Sequence, residues 1–173
     1  REAIAVAEAR KLKVPVIGVA RSEWTDDDFR SHARESITEH IDSPDPAVVD
    51  SLCARLDLVQ GDYSDENTWN ELRSTLNRHN SLVAVFYMAI PPTMFPTVAT
   101  KLASVGLNRR GRIVVEKPFG RDLQSAIELN KTPHEVFSED HIFRIDHSLG
   151  KEAVAALLVF RFANTLLEPV SNR

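Results

Sequence analysis

Val14-Pro15-Val16-Ile17-Gly18-Val19-Ala20 is a largely apolar run that follows an Ala-rich, helix-prone opening over residues 1 to 12. Such a run is the pattern of a strand buried on both faces of a parallel sheet. Thr25, with Asp28 three residues on, has the form of a capping box, and Phe29, Ala33 and Ile37 then recur at four-residue spacing, which predicts a helix with one apolar face. Ser43-Pro44-Asp45-Pro46 is expected to break it. Leu56 to Val59 reads as a short strand, and Trp69, Leu72 and Leu76 mark the face of the next helix. Leu82 to Ala89 is the strongest buried-strand candidate; Pro91-Pro92 ends it, and Phe95, Val98, Leu102 and Val105 step along a helix. Arg112 to Glu116 and Ile142 to Ile145 supply two further strands. Asp122 can cap a helix running through Leu129, and the dense apolar positions from Lys151 to Phe162 predict a well-buried helix. Strands alternating with helices define an α/β fold with a parallel sheet and right-handed crossovers.

The chain has 173 residues, 43% of them hydrophobic, enough for one domain with a sizeable core. Its 21 basic and 25 acidic residues leave a formal charge of −4, and no Lys/Arg run is long enough to follow a nucleic-acid backbone or an anionic membrane. Positive charge must therefore act locally, in a pocket. No apolar stretch approaches the ~20 residues of a membrane span, and Arg1-Glu2-Ala3-Ile4 opens without the features of a secretory leader. With Cys53 as the only cysteine, no internal disulfide is available, and a reducing cytoplasm is the expected compartment.

Several residues have the chemistry of a site. Arg21-Ser22 follows the first strand, and both side chains donate hydrogen bonds to phosphate oxygens, while the neighbouring acids begin only at Glu23. Ala89-Ile90-Pro91-Pro92-Thr93 lies where a strand gives way to a helix, the edge at which open α/β sheets bind ligands, although a plain proline turn has the same pattern. Lys117 precedes Pro118, which biases it toward an extended conformation from which the ammonium can enter a cleft. Gly150 and Lys151 can open a helix whose free N–H groups join His147 and Lys151 in attracting a phosphate. Asp146 suits a different role, since a carboxylate held beside a catalytic imidazole fixes the ring's tautomer and stabilises its protonated form during proton abstraction, although a plain turn aspartate has the same pattern. His32, His40, His79, His134 and His141 show no metal-ligand spacing and read as surface or structural.

Asp146-His147-Ser148-Leu149-Gly150-Lys151-Glu152 resembles the substrate motif of the glucose-6-phosphate dehydrogenase family, and Arg112-Ile113-Val114-Val115-Glu116-Lys117-Pro118-Phe119-Gly120-Arg121-Asp122-Leu123 is similar to a second family block. The Glu-Lys-Pro element alone also resembles that of the wider group of sugar and biliverdin oxidoreductases. The resemblance implies a Rossmann-like, doubly wound parallel sheet over residues 1–150, with 151–173 entering a substrate and dimerisation domain. It implies hydride transfer from C1 of glucose 6-phosphate to NADP, with His147 and Lys151 binding the sugar phosphate and Lys117 hydrogen-bonding the substrate's C1 oxygen. Arg21 and Ser22 are then expected on the NADP phosphate, with Ile90, Pro91, Phe95 and Lys117 as further cofactor contacts. Asp146 is expected to pair with a catalytic histidine that lies later in the family's chain and has no counterpart here. The family's first strand with its Gly-rich loop would precede Arg1, and its large β-rich domain, through which full members form homo-oligomers, would follow Arg173. These 173 residues alone are thus expected not to turn over. Ser148 stands where the family has an aromatic residue, Ala155-Ala156 where a Gln-Asn pair is usual, and Ser171 where a tryptophan is usual. The missing catalytic parts and Ser148 keep open a non-catalytic module binding a nucleotide or sugar phosphate, and the Glu-Lys-Pro element keeps open another sugar oxidoreductase.

Overall fold

The computed structural model describes residues 13–80, 83–117 and 134–146. The expected helices at 1 to 12, after Asp122 and after Lys151 lie outside the described residues. The chain divides into two compact units, Arg1–Ala84 with Lys101–Leu107, and Val85–Thr100 with Asn108–Arg173. Each described unit carries its own parallel sheet, as the two βαβ halves of a doubly wound fold would.

In the first unit, β1 (Val16–Ala20) leads through α1 (Asp26–His40) and α2 (Pro46–Cys53) to β2 (Leu56–Gln60) and α3 (Glu66–Arg78). β1 and β2 pair in parallel with Val16 opposite Leu56 and Ala20 opposite Gln60. α1 starts where its capping box predicts, with the Asp28 amide donating to Thr25 Oγ1 at 3.2 Å and the Thr25 amide donating to Asp28 Oδ2 at 2.9 Å. The Ser-Pro-Asp-Pro stretch does end α1, but it also begins α2: Asp45 accepts from the Ala47 amide at 2.9 Å and Pro46 occupies the first turn, where its missing N–H costs nothing.

Val49, Leu52, Cys53 and Leu56 form a buried cluster against which Val16, Phe29, Ala33, Ile37 and Ile41 pack. Truncating a buried leucine such as Leu52 to Ala costs about 2–5 kcal/mol. Phe29 crosses β1 so closely at Gly18 that a Cβ there would lie 2.9 Å from its ring. β1 itself is half-buried along its length rather than buried on both faces, because in the described sheet it is an edge strand paired only with β2.

The second unit holds β3 (Val85–Tyr87), the start of α4 (Phe95–Ser104), β4 (Arg112–Glu116) and β5 (Ile142–Ile145). The sheet order is β3-β4-β5 and both pairings are parallel. β4 and β5 run as the sequence predicts. Leu82 to Ala89, the strongest buried-strand candidate, yields a three-residue strand among its described residues, with Val85 62% and Tyr87 46% exposed. The register explains it: Tyr87, Val114 and Phe143 share one face, and Tyr87 and Phe143 are exposed there, whereas Ile113, Val115 and Ile142 are buried. Among the described residues no helix is long and apolar enough to cross a membrane.

Candidate functional site

Parallel strands deliver all their carboxyl ends to one edge, so the residue after each strand becomes a neighbour of the residue after the next. In the second unit, Glu116 pairs in register with Ile145, and the following residues, Lys117 and Asp146, meet as an ion pair between Nζ and Oδ2. The Asp146 side chain is 16% exposed and that of Lys117 53%, so the carboxylate is held in the wall while the ammonium reaches solvent. Tyr87, on the same sheet face as Glu116, donates its hydroxyl to Glu116 Oε1.

β3 ends at the same edge. The Met88 amide extends the ladder by donating to Val114 O at 2.9 Å, and the chain then turns through Pro91 into a 3-10 turn, Pro92–Met94, that runs into α4. Two consecutive prolines suit this helix start because they bring no amide donors that the first turn would leave unsatisfied. A cleft of about 340 Å³ lies here, lined by Met88, Ile90, Pro91 and Phe95 on one side and by Glu116 and Lys117 on the other. Phe95 is buried, so it shapes the floor, while Pro91 is exposed and Ile90 half-buried. The structure thus brings Ile90, Pro91, Phe95, Lys117 and Asp146 to one edge of one sheet. His147 and Lys151 lie outside the described residues.

The first unit repeats the logic. Ala20 pairs with Gln60, and beyond them Arg21 meets Asp62, with 3.5 Å between NH1 and Oδ2. Ser22 beside it is half-buried. Asp62 takes hydrogen bonds from the Ser64 hydroxyl at 2.7 Å and the Ser64 amide at 2.8 Å, and these, more than the nearby Arg21 guanidinium, hold its carboxyl below the usual carboxylate range. Asp62 has no motif to announce it; only the register of β1 against β2 places it beside Arg21. The donor set fits a phosphorylated ribose, since the guanidinium is 79% exposed and can exchange a long contact for a phosphate. Among the described residues no group of His, Cys, Asp and Glu could hold a metal ion.

Strand–helix alternation, parallel pairing throughout and charged groups collected at the carboxyl ends define a Rossmann-like α/β domain of the dinucleotide-binding class. Residues 4–156 match the family model described as glucose-6-phosphate dehydrogenase, NAD binding domain. Glucose-6-phosphate 1-dehydrogenase of Rhizobium meliloti is 42% identical over 160 residues, 91% of this chain and 33% of that protein. Glucose-6-phosphate 1-dehydrogenase 1 of Mycobacterium tuberculosis is 40% identical over 164 residues, 94% of this chain and 34% of that one. The crystal structure of the Mycobacterium avium glucose-6-phosphate 1-dehydrogenase superposes with a TM-score of 0.84 at 37% identity, covering 96% of this chain and 37% of its own. A glucose-6-phosphate dehydrogenase solved in complex with its substrate glucose-6-phosphate gives 0.85 at 34% identity over the same shares. The chain belongs to the glucose-6-phosphate dehydrogenase family. It spans about a third of the length of the curated relatives it matches.

Proposed function

We propose that this chain is the coenzyme-binding part of an enzyme that oxidises glucose 6-phosphate at C1, passing hydride to NADP and yielding 6-phosphogluconolactone. The observation that carries the reading is the Lys117–Asp146 pair at the carboxyl ends of adjacent strands, within the segment that matches the family. Residues 1–150 form the dinucleotide-binding part and 151–173 the entry to the substrate and dimerisation domain.

Each residue has a separable task. Arg21 and Ser22 bind the ribose phosphate that distinguishes NADP, and Ile90, Pro91 and Phe95 form the apolar wall against which the coenzyme lies. NADP, when bound, supplies the hydride acceptor. Lys117 has an exposed ammonium on an ordered strand end, so it can hydrogen-bond the C1 oxygen of the sugar and hold it at reacting distance. Asp146, largely shielded, is fixed by Lys117 and orients the imidazole base that removes the C1 hydroxyl proton. The resemblance places that imidazole further along the family's chain than Arg173. His147 and Lys151 bind the sugar phosphate. Full members associate as homo-oligomers, and the same is proposed here. A cytoplasmic location suits Cys53, which is unpaired and whose burial pushes the thiol upward and away from reactivity.

The test is steady-state kinetics on the protein expressed with its complete reading frame. Asp146→Asn is expected to lower kcat about 10²-fold or more, the scale of a general-base contribution, while the KM for glucose 6-phosphate moves far less. Lys117→Ala is expected to lower kcat/KM through both terms. Wild-type rates in both variants would contradict the assignment, and faster oxidation of an unphosphorylated sugar than of glucose 6-phosphate would move the protein to another Glu-Lys-Pro oxidoreductase class.

A further inference from the structure

We propose that Asp62 is a specificity-determining residue that restrains recognition of the adenosine 2′-phosphate, because its fixed negative charge engages Arg21 and opposes a second anion there. The inference rests on the assignment of Arg21 to that phosphate.

The Asp62 loop is tied down independently of Arg21. The Gly61 amide donates to Ala20 O at 2.9 Å and the Tyr63 hydroxyl to Val19 O at 3.1 Å, which fasten the turn after β2 to the last residues of β1. The Thr68 hydroxyl donates to Asp62 O at 2.9 Å, and the Asp65 amide donates to the same oxygen at 3.1 Å. On the side chain, Oδ1 takes both Ser64 hydrogen bonds, which leaves Oδ2 facing the guanidinium at 3.5 Å. These bonds hold Asp62 in place independently of Arg21, with its side chain 46% exposed. Arg21 can swing away when a competing anion arrives, since it is exposed and its contact with Asp62 is long.

The consequence is asymmetric between the two coenzymes. A phosphate seated on Arg21 lies within one Debye length of the Asp62 carboxylate, so their repulsion is only partly screened. An unphosphorylated ribose carries no charge at that position and meets no such penalty. Asp62 thus holds NADP and NAD closer together in affinity than Arg21 alone would.

Asp62→Asn keeps the size of the side chain and an acceptor for Ser64 while removing the charge. Calorimetric titration with 2′,5′-ADP and with 5′-AMP, on the protein expressed with its complete reading frame, reads the effect without turnover. The variant is expected to bind 2′,5′-ADP about three- to fivefold more tightly, the scale of one exposed charge pair, with 5′-AMP unchanged. The NADP-over-NAD ratio of kcat/KM is expected to rise by the same factor. Asp62→Ser, which also removes the charge, must shift the ratio in the same direction, so the proposal stays testable if one variant folds poorly. Unchanged or weaker 2′,5′-ADP binding in the folded variants overturns it. Arg21→Ala separates the two layers: if it weakens 2′,5′-ADP while the Asp62 variants do nothing, only the restraint fails, whereas no effect of Arg21→Ala overturns the assignment of Arg21 and the restraint with it.

Discussion

At position 61 there is no room for a side chain, since a Cβ would lie 2.0 Å from Thr68 Oγ1. Thr68 is buried and its hydroxyl is committed to Asp62 O, so it cannot give way without releasing the loop that carries Asp62. Gly61→Ala is accordingly expected to lower stability by about 1–3 kcal/mol, the cost of overpacking, with denaturant unfolding as the measurement. An unchanged midpoint would mean that the loop shifts freely. The same neighbourhood shows what individual residues conceal in sequence. Arg21 is legible because a residue just after a strand has a defined place in an α/β fold, and Lys117 and Asp146 because they lie in motifs that resemble the family's. Asp62 carries the same signal after β2, yet its partner is 41 positions away and only the parallel register brings them together.

Among the elements, α1 shows a local rule deciding a boundary. Asp28 accepts from the Thr25 hydroxyl at 2.6 Å as well as from its amide, and these bonds hold its carboxyl below its ordinary value. A depressed folded-state value means that this stabilisation is present above the unfolded value and is lost as pH falls through the folded one. Thermal midpoints should therefore fall as pH drops through the carboxylate range, and fall less in Thr25→Ala, whose lost cap is expected to cost about 1 kcal/mol at neutral pH. Parallel pH curves for the two proteins would show that the cap is not the group being titrated. β4, β5 and the start of α1 are readable because strand pattern and cap chemistry are local. α2 is hidden because Pro-Asp-Pro breaks one helix and starts another with the same residues. β3 is overread because an apolar run of this kind implies burial on both faces, whereas Val85 and Tyr87 lie on a sheet face that is exposed in the described residues.

For the whole molecule, the fold class follows from alternation of strands and helices, and the division into two compact units, each with its own parallel sheet, is a property that no single segment displays. Each unit presents its charged residues at the carboxyl edge of its strands: Arg21 with Asp62 in one, Lys117 with Asp146 in the other. His147 and Lys151, predicted for the sugar phosphate, lie outside the described residues, so their part of the site stands on the motif alone. The chain's length, about a third of its relatives', makes the catalytic reading a claim about the reading frame as a whole. The most direct measurement is the rate of nicotinamide reduction by the protein expressed with that complete frame, with glucose 6-phosphate and NADP as substrates. Turnover is expected with this pair, sharply reduced when glucose replaces its 6-phosphate; a correctly folded protein that binds NADP yet leaves glucose 6-phosphate unoxidised would overturn the proposed activity.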